Sequence, residues 1–143
     1  MKKLLFLMGL IFLSISTFAQ SADAVVGKWF NKDKEAQIQI YKKGNEFNGK
    51  IVWLKNPNNE DGKAKTDVKN PEDNLKTRPI WGLEILKGFK YNDGAWDDGT
   101  IYDPKSGKTY SCKLTLNGND KLNVRGYIGI AIIGRTDNWT RVK

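Results

Sequence analysis

From Val25 onward, apolar and polar residues alternate with a period of two in one short segment after another, and no segment carries the 3.6-residue repeat of an amphipathic helix. In AQIQIYK (36–42), Ala36, Ile38 and Ile40 oppose Gln37, Gln39 and Tyr41. EFNGKIVWL (46–54) sets Phe47, Ile51 and Trp53 on one side, and PIWGLEILKGFKY (79–91) groups Trp81, Leu83 and Ile85. KTYSCKLTL (108–116) sets Tyr110, Cys112, Leu114 and Leu116 against Thr109, Ser111, Lys113 and Thr115. Shorter runs at 25–30, 99–103, 120–129, 130–136 and 138–143 complete eight or nine strands, with turn signals at 44–45, 92–94, 97–99 and 117–119.

Side chains two apart share a face of a strand, so each segment has one face to bury. A meander of this kind also leaves two unpaired edges, which invite association. Closure removes both problems. The expected fold is all-β, a single antiparallel up-and-down barrel of about eight strands. Glycines at 82, 88, 126, 129 and 134 lie inside or at the ends of strand patterns, where corners and bulges need them. A two-sheet sandwich is the structural rival.

The first residues, MKKLLFLMGLIFLSISTFAQ, read as a secretory signal peptide: Lys2 and Lys3, an apolar run from Leu4 to Leu13, and small residues at Thr17 and Ala19. The run is shorter than the ~20 residues of a spanning helix. Residues 1–19 are therefore assigned to the signal peptide and residues 20–143 to one barrel domain, with no integral membrane segment after cleavage and a periplasmic or secreted location. The mature chain carries 22 Lys and Arg against 16 Asp and Glu, a net charge of +6. These cations are spread along the sequence, with no motif of nucleic-acid recognition, so no nucleic-acid partner is expected.

Residues 55–78, KNPNNEDGKAKTDVKNPEDNLKTR, break the rhythm, with almost no apolar content. A loop of that length in a compact domain serves as a lid, a binding loop or a solvated excursion. It reads here as a flap over one barrel end.

Candidate chemistry concentrates in WDDGTIYDPKSGKTY (96–110), where Asp97, Asp98 and Asp103 stand among aromatics. Such groupings occur in glycosidases, which need two carboxylates on opposite sides of a bond. They also occur in turns. Asp103-Pro104 with Gly107 fits a type I turn closed by a left-handed glycine, and Asp98-Gly99 fits a hairpin reversal. The turn reading is preferred, and no catalytic residue is assigned.

The chain has no histidine and one cysteine, which excludes the usual zinc, copper and nucleophile–base constellations. An EF-hand anchored on Gly62 would place Pro57 at its first ligand position and fails there. No metal and no cofactor are expected. Cys112, on the apolar face of its strand, reads as a buried inert thiol.

The aromatics carry more. All five tryptophans, at 29, 53, 81, 96 and 139, lie in the mature chain. In a small barrel the lumen is the available cavity, and rings with a few polar groups make ligand sites. In LNVRGYIG, Leu122, Val124 and Ile128 share one face while Arg125 and Tyr127 share the other, and the spacing leaves open which face points inward.

GKWFN (27–31) is similar to the Gly-x-Trp opening of calycin barrels, the lipocalins, fatty-acid-binding proteins and avidins. That resemblance implies that Trp29 plugs one barrel end and that Arg141, in NWTRV, packs over it. A longer match runs through GKW, DVKNPEDNLKTRPIWGLEIL, WDDGTIYDPKSGKTY, LNVRGYIG and WTRV in that order. It resembles the exported bacterial family called domain of unknown function 2147, and implies a lipocalin-like barrel without supplying an activity. The family's characteristic positions fall here on Asp67, Asn70, Gly107 and Gly126 among others, and on the polar and aromatic set Arg78, Tyr102, Tyr110, Arg125 and Tyr127.

Together these features point to an exported small-molecule binding protein, with Arg78, Trp81, Tyr102, Tyr110, Arg125 and Tyr127 as ligand-binding candidates. An apolar or amphipathic, lipid-like ligand with an anionic or polar head would suit a ring-lined lumen containing Arg78 or Arg125. Two alternatives stand beside it: a filled barrel that docks an envelope protein through rim and flap, and a carboxylate-dependent hydrolase. The empty volume inside the barrel separates them.

Overall fold

The structure is a computed structural model that describes residues 20–130 and 132–143. The signal-peptide assignment at 1–19 lies outside the described residues. Eight strands follow a 3-10 turn at Ala22–Val25: β1 (Gly27–Phe30), β2 (Ala36–Lys43), β3 (Glu46–Leu54), β4 (Glu84–Asn92), β5 (Ala95–Asp103), β6 (Lys108–Asn117), β7 (Lys121–Tyr127) and β8 (Gly134–Arg141). Every neighbour pairs antiparallel, and β1 pairs with β8 through Trp29 opposite Arg141 and Phe30 opposite Thr140. The barrel is closed, all-β and up-and-down.

Alternation locates the inner wall. Ile38 and Ile40 of β2, Phe47 and Ile51 of β3, Leu86 and Phe89 of β4, Cys112 and Leu114 of β6, and Leu122 and Val124 of β7 are all buried. Several register shifts interrupt the pattern, and two of them move residues away from their expected places. A register shift where Ile38 pairs Ile51 but Gln37 pairs Trp53 turns Trp53 outward, against the edge of Phe30 at 6.0 Å between ring centroids. A second shift, between Trp96 and Gly99, is a bulge inside β5 in which Asp98 takes φ +62°. The Asp98-Gly99 reversal expected from sequence is therefore a bulge, whereas the turn signal at 92–94 is where the chain does reverse, at Asp93-Gly94. The ninth strand expected at 130–136 is absent among the described residues: Ile130, Ile132 and Ile133 precede β8 outside any strand, and β8 runs unbroken through 134–141.

The long excursion between β3 and β4 is folded. It carries β-bridges Asn58–Ala64 and Thr66–Pro79 and a 3-10 turn at Asp73–Leu75. Trp81, expected on a strand beside Leu83 and Ile85, lies in this connection before β4 and is half exposed. Among the described residues no helix is long and apolar enough to cross a membrane.

Candidate functional site: the hollow half of the barrel

The two halves of the barrel are filled differently. Toward the 3-10 turn, Trp29, Phe47, Leu86, Phe89, Trp96, Leu114 and Leu122 pack with almost no exposure. Toward the other end lies a hollow of about 830 Å³, within the usual size of small-molecule sites. Its walls are Ile38, Ile51, Ile85, Ile101, Val124 and Trp139, with Tyr110 from β6. The wall thus mixes aliphatic side chains with a few rings, and of the five tryptophans only Trp139 reaches it, because Trp29 and Trp96 fill the closed half and Trp53 and Trp81 lie outside the hollow.

The closed end is tied by one side chain. The Arg141 guanidinium lies over the Trp29 ring with Cζ 4.2 Å from its centroid. Its three nitrogens donate to carbonyls of Asn119 (2.8 Å), Val26 (3.1 Å) and Ala24 (2.7 Å). Trp29 Nε1 donates to Val25 O at 2.9 Å, and Trp96 Nε1 to Ala22 O at 3.0 Å. The 3-10 turn is thereby pinned across the barrel floor. A Cβ at Gly27 would come within 2.8 Å of Arg141 Nη1, so this approach needs glycine.

At the open end, the β3–β4 connection is locked to β5 by a buried carboxylate. Asp67, fully buried, accepts from Tyr102 Oη (2.6 Å), Asn70 Nδ2 (2.9 Å) and Arg78 Nε (2.8 Å). Burial pushes the Asp67 carboxyl upward, but the three hydrogen bonds and the Arg78 charge outweigh it and hold the group below its ordinary value. Burial and the neighbouring Asp67 raise the Tyr102 hydroxyl correspondingly. Lys69 O sits where a Cβ at Gly107 would stand, 1.9 Å away, so the β5–β6 turn docks on the same loop. Lys105 in that turn pairs with Glu35 of the β1–β2 loop at 2.8 Å, another tie at the rim.

The six sequence-derived ligand candidates divide evenly. Tyr102, Tyr110 and Tyr127 line the hollow. Arg78 does not line it, being committed to Asp67 and to the Tyr102 face, 5.4 Å from that centroid. Trp81 stands outside it. Arg125 points to the outer face, where it donates to Thr136 Oγ1 (2.9 Å) and Ile132 O (3.0 Å). The inward face of β7 is that of Leu122 and Val124.

The three aspartates of the β5 region share no cleft. Asp97 pairs with Lys113 at 3.8 Å, and Asp98 sits at the bulge. Asp103 organises its own turn, its Oδ1 accepting from Lys105 N (3.0 Å), its Oδ2 from Ser106 Oγ (2.9 Å) and its carbonyl from Gly107 N (2.8 Å). Cys112 is fully buried, and burial pushes its thiol up to about 12, which leaves it no nucleophilic form at neutral pH.

One inward charged group escaped the sequence reading. Asp137 of β8 lies opposite Val124 and lines the hollow with Trp139, two residues on. Counting back by two from the buried Trp139 would have found it. The runs at 130–136 and 138–143 leave Asp137 between two segments instead.

A closed eight-stranded antiparallel barrel with one plugged end and one open hollow is lipocalin-like. Protein HP1028 from the human pathogen Helicobacter pylori, described as belonging to the lipocalin family, superposes with a TM-score of 0.71 over 82% of each chain. At 22% identity that likeness speaks for the fold. The chain itself belongs to the bacterial family described as "Uncharacterized protein conserved in bacteria (DUF2147)", which matches residues 27–141. No curated protein sequence matches it.

Proposed function

We propose that this protein is exported and holds an apolar or amphipathic, lipid-like small molecule in the open half of its barrel. The observation that carries the reading is the one-ended hollow of about 830 Å³ with isoleucine walls. Apolar surface of that extent gains by exchanging water for a ligand chain. The lipocalin-like fold and the leader-like residues 1–19 support the same reading.

Native mass spectrometry of protein purified from its own cell envelope tests it. The expected result is a bound mass that organic solvent extracts. Saturation at a hundred times Kd would add about 2.7 kcal/mol of stability, visible as a thermal shift. Protein that arrives bare, and that no lipid of a broad panel stabilises, overturns the proposal. Export has its own measurement: the mature chain should begin at Gln20 and partition with the periplasm or medium.

A partner-docking role keeps one supporting observation, although the hollow removes its solid-barrel form. Ile128, Ile130, Ile132 and Ile133 stand well exposed in the β7–β8 loop at the rim. An exposed apolar group of this size is a feature of interaction surfaces.

A further inference from the structure

Asp137 is an inward carboxylate of β8 on a wall made mainly of aliphatic and aromatic side chains, and its two oxygens are not equivalent. Oδ2 accepts from Arg135 Nη2 at 3.2 Å, but that Arg135 side chain is 84% exposed, so the pair is screened and weak. Oδ1 is buried and has no hydrogen-bond partner among the described residues. Buried carboxylate oxygens are ordinarily satisfied, and one left bare is an unmet demand for a donor. The carboxyl torsion is soft and nearly two-fold, so a small turn brings an oxygen to the hollow.

The cations that could serve an acidic ligand are committed to other partners or stand at the rim. Arg78 is committed to Asp67 and Arg125 to the outer face of β7 and β8. The lysines that reach the hollow, Lys32, Lys65 and Lys105, belong to the loops of the rim, beside Asp33, Glu35 and Asp103. Arg135 also reaches the hollow, but its exposed guanidinium is paired with Asp137 Oδ2, so the charges around the hollow balance and the wall offers the bare Oδ1 as an acceptor.

Resting on the lipid-like reading above, we infer that the hollow selects amphiphiles whose polar end donates hydrogen bonds to Asp137, with a protonated amine preferred over a carboxylate. A charge-assisted hydrogen bond from an ammonium satisfies the bare oxygen, whereas a ligand carboxylate would meet a like charge whose nearest cation, Arg135, is solvent-screened and already paired with Asp137. This reverses the anionic head that the arginines of the sequence had implied. It also runs against the net charge of the protein, which by itself favours acids.

The test is competition on the mature chain by three amphiphiles of one length, dodecylamine, dodecanol and laurate, below their micellar concentrations, against a fluorescent apolar probe. The expected order is amine, then alcohol, then acid, with at least about tenfold between the first and last. Asp137→Asn, checked for an unchanged melting profile, should weaken the amine about tenfold and move the alcohol by less than about threefold. Laurate binding as well as or better than dodecylamine overturns the inference, and so does an amine affinity that Asp137→Asn leaves unchanged. The wild-type order decides the matter even if the variant fails to fold. If none of the three displaces the probe, the lipid-binding reading fails and the head-group preference fails with it.

Discussion

The two halves of this barrel use glycine for opposite purposes. In the filled half, a Cβ at Gly99 would lie 2.4 Å from the Phe89 ring, and one at Gly49 would lie 2.8 Å from Leu86 Cδ1. Those glycines make room for side chains already present. In the hollow half, Gly126 lines the cavity, and a Cβ there would meet Ile101 and Tyr110 at 3.7 Å, an ordinary contact. Nothing on the protein side requires that position to be empty. Stability is concentrated where space is used up, and the candidate site lies where space is left over.

Equal truncations in the two halves should therefore have unequal costs. Phe89→Ala opens an enclosed void under Gly99 and should cost about 4 kcal/mol in urea denaturation. Ile101→Ala, on the wall of a space that is already open, loses transfer energy without a new void and should cost about 1 kcal/mol. Similar costs at the two positions would erase the distinction between the halves.

Arg141→Ala should rank next, at about 3 kcal/mol, since it orphans carbonyls of Ala24, Val26 and Asn119 and uncovers Trp29. Lysine at this position should recover less than half of the loss, because an ammonium lacks the planar fork that reaches three acceptors. Full recovery would mean that the charge alone holds the floor of the barrel.

At the rim, Asp67→Asn should cost about 2 kcal/mol and speed amide exchange at Asp67 and Asn70, whose N–H groups bond to Arg78 O and Asp67 O. The sign with pH follows from the lowered folded value of Asp67. Its contribution is complete above the unfolded carboxyl value of about 3.9 and disappears as pH falls through the folded value. Thermal melts between neutral and strongly acidic pH should show that the variant loses part of the acid-sensitive stability of the wild type. An identical acid limb in both would place the pH sensitivity elsewhere.

Closure was legible in the sequence because alternation is a property of neighbours along one strand. What alternation could not supply were the places where it slips. The bulges at Gln37/Ile38 and Trp96/Gly99 each change which residues face inward, so Trp53 and Asp98 were assigned the wrong surroundings. Arg78 and Tyr102 were noticed as polar and aromatic, but their shared partner Asp67 is a long-range contact invisible to spacing. Asp137 falls between the short runs at 130–136 and 138–143, and only the pairing of β8 with β7 shows one continuous strand that turns it inward.

The smallest effect on stability should accompany a large effect on binding. Gly126→Leu places a side chain into the hollow from an inward position of β7 whose backbone is not in the left-handed region. Replacing a strand glycine lowers the entropy of the unfolded chain, a gain of about 0.4–1 kcal/mol where the site accepts the side chain. The net change in stability should therefore lie within about 0.5 kcal/mol of zero. The leucine would meanwhile occupy the volume that a ligand chain needs, and amphiphile affinity should fall at least about tenfold, the equivalent of some 1.4 kcal/mol. An enclosed space that the fold does not need, kept open at a position where a side chain would fit, is what separates a binding barrel from an imperfectly packed one. If Gly126→Leu binds amphiphiles as the wild type does, the hollow is not where they sit.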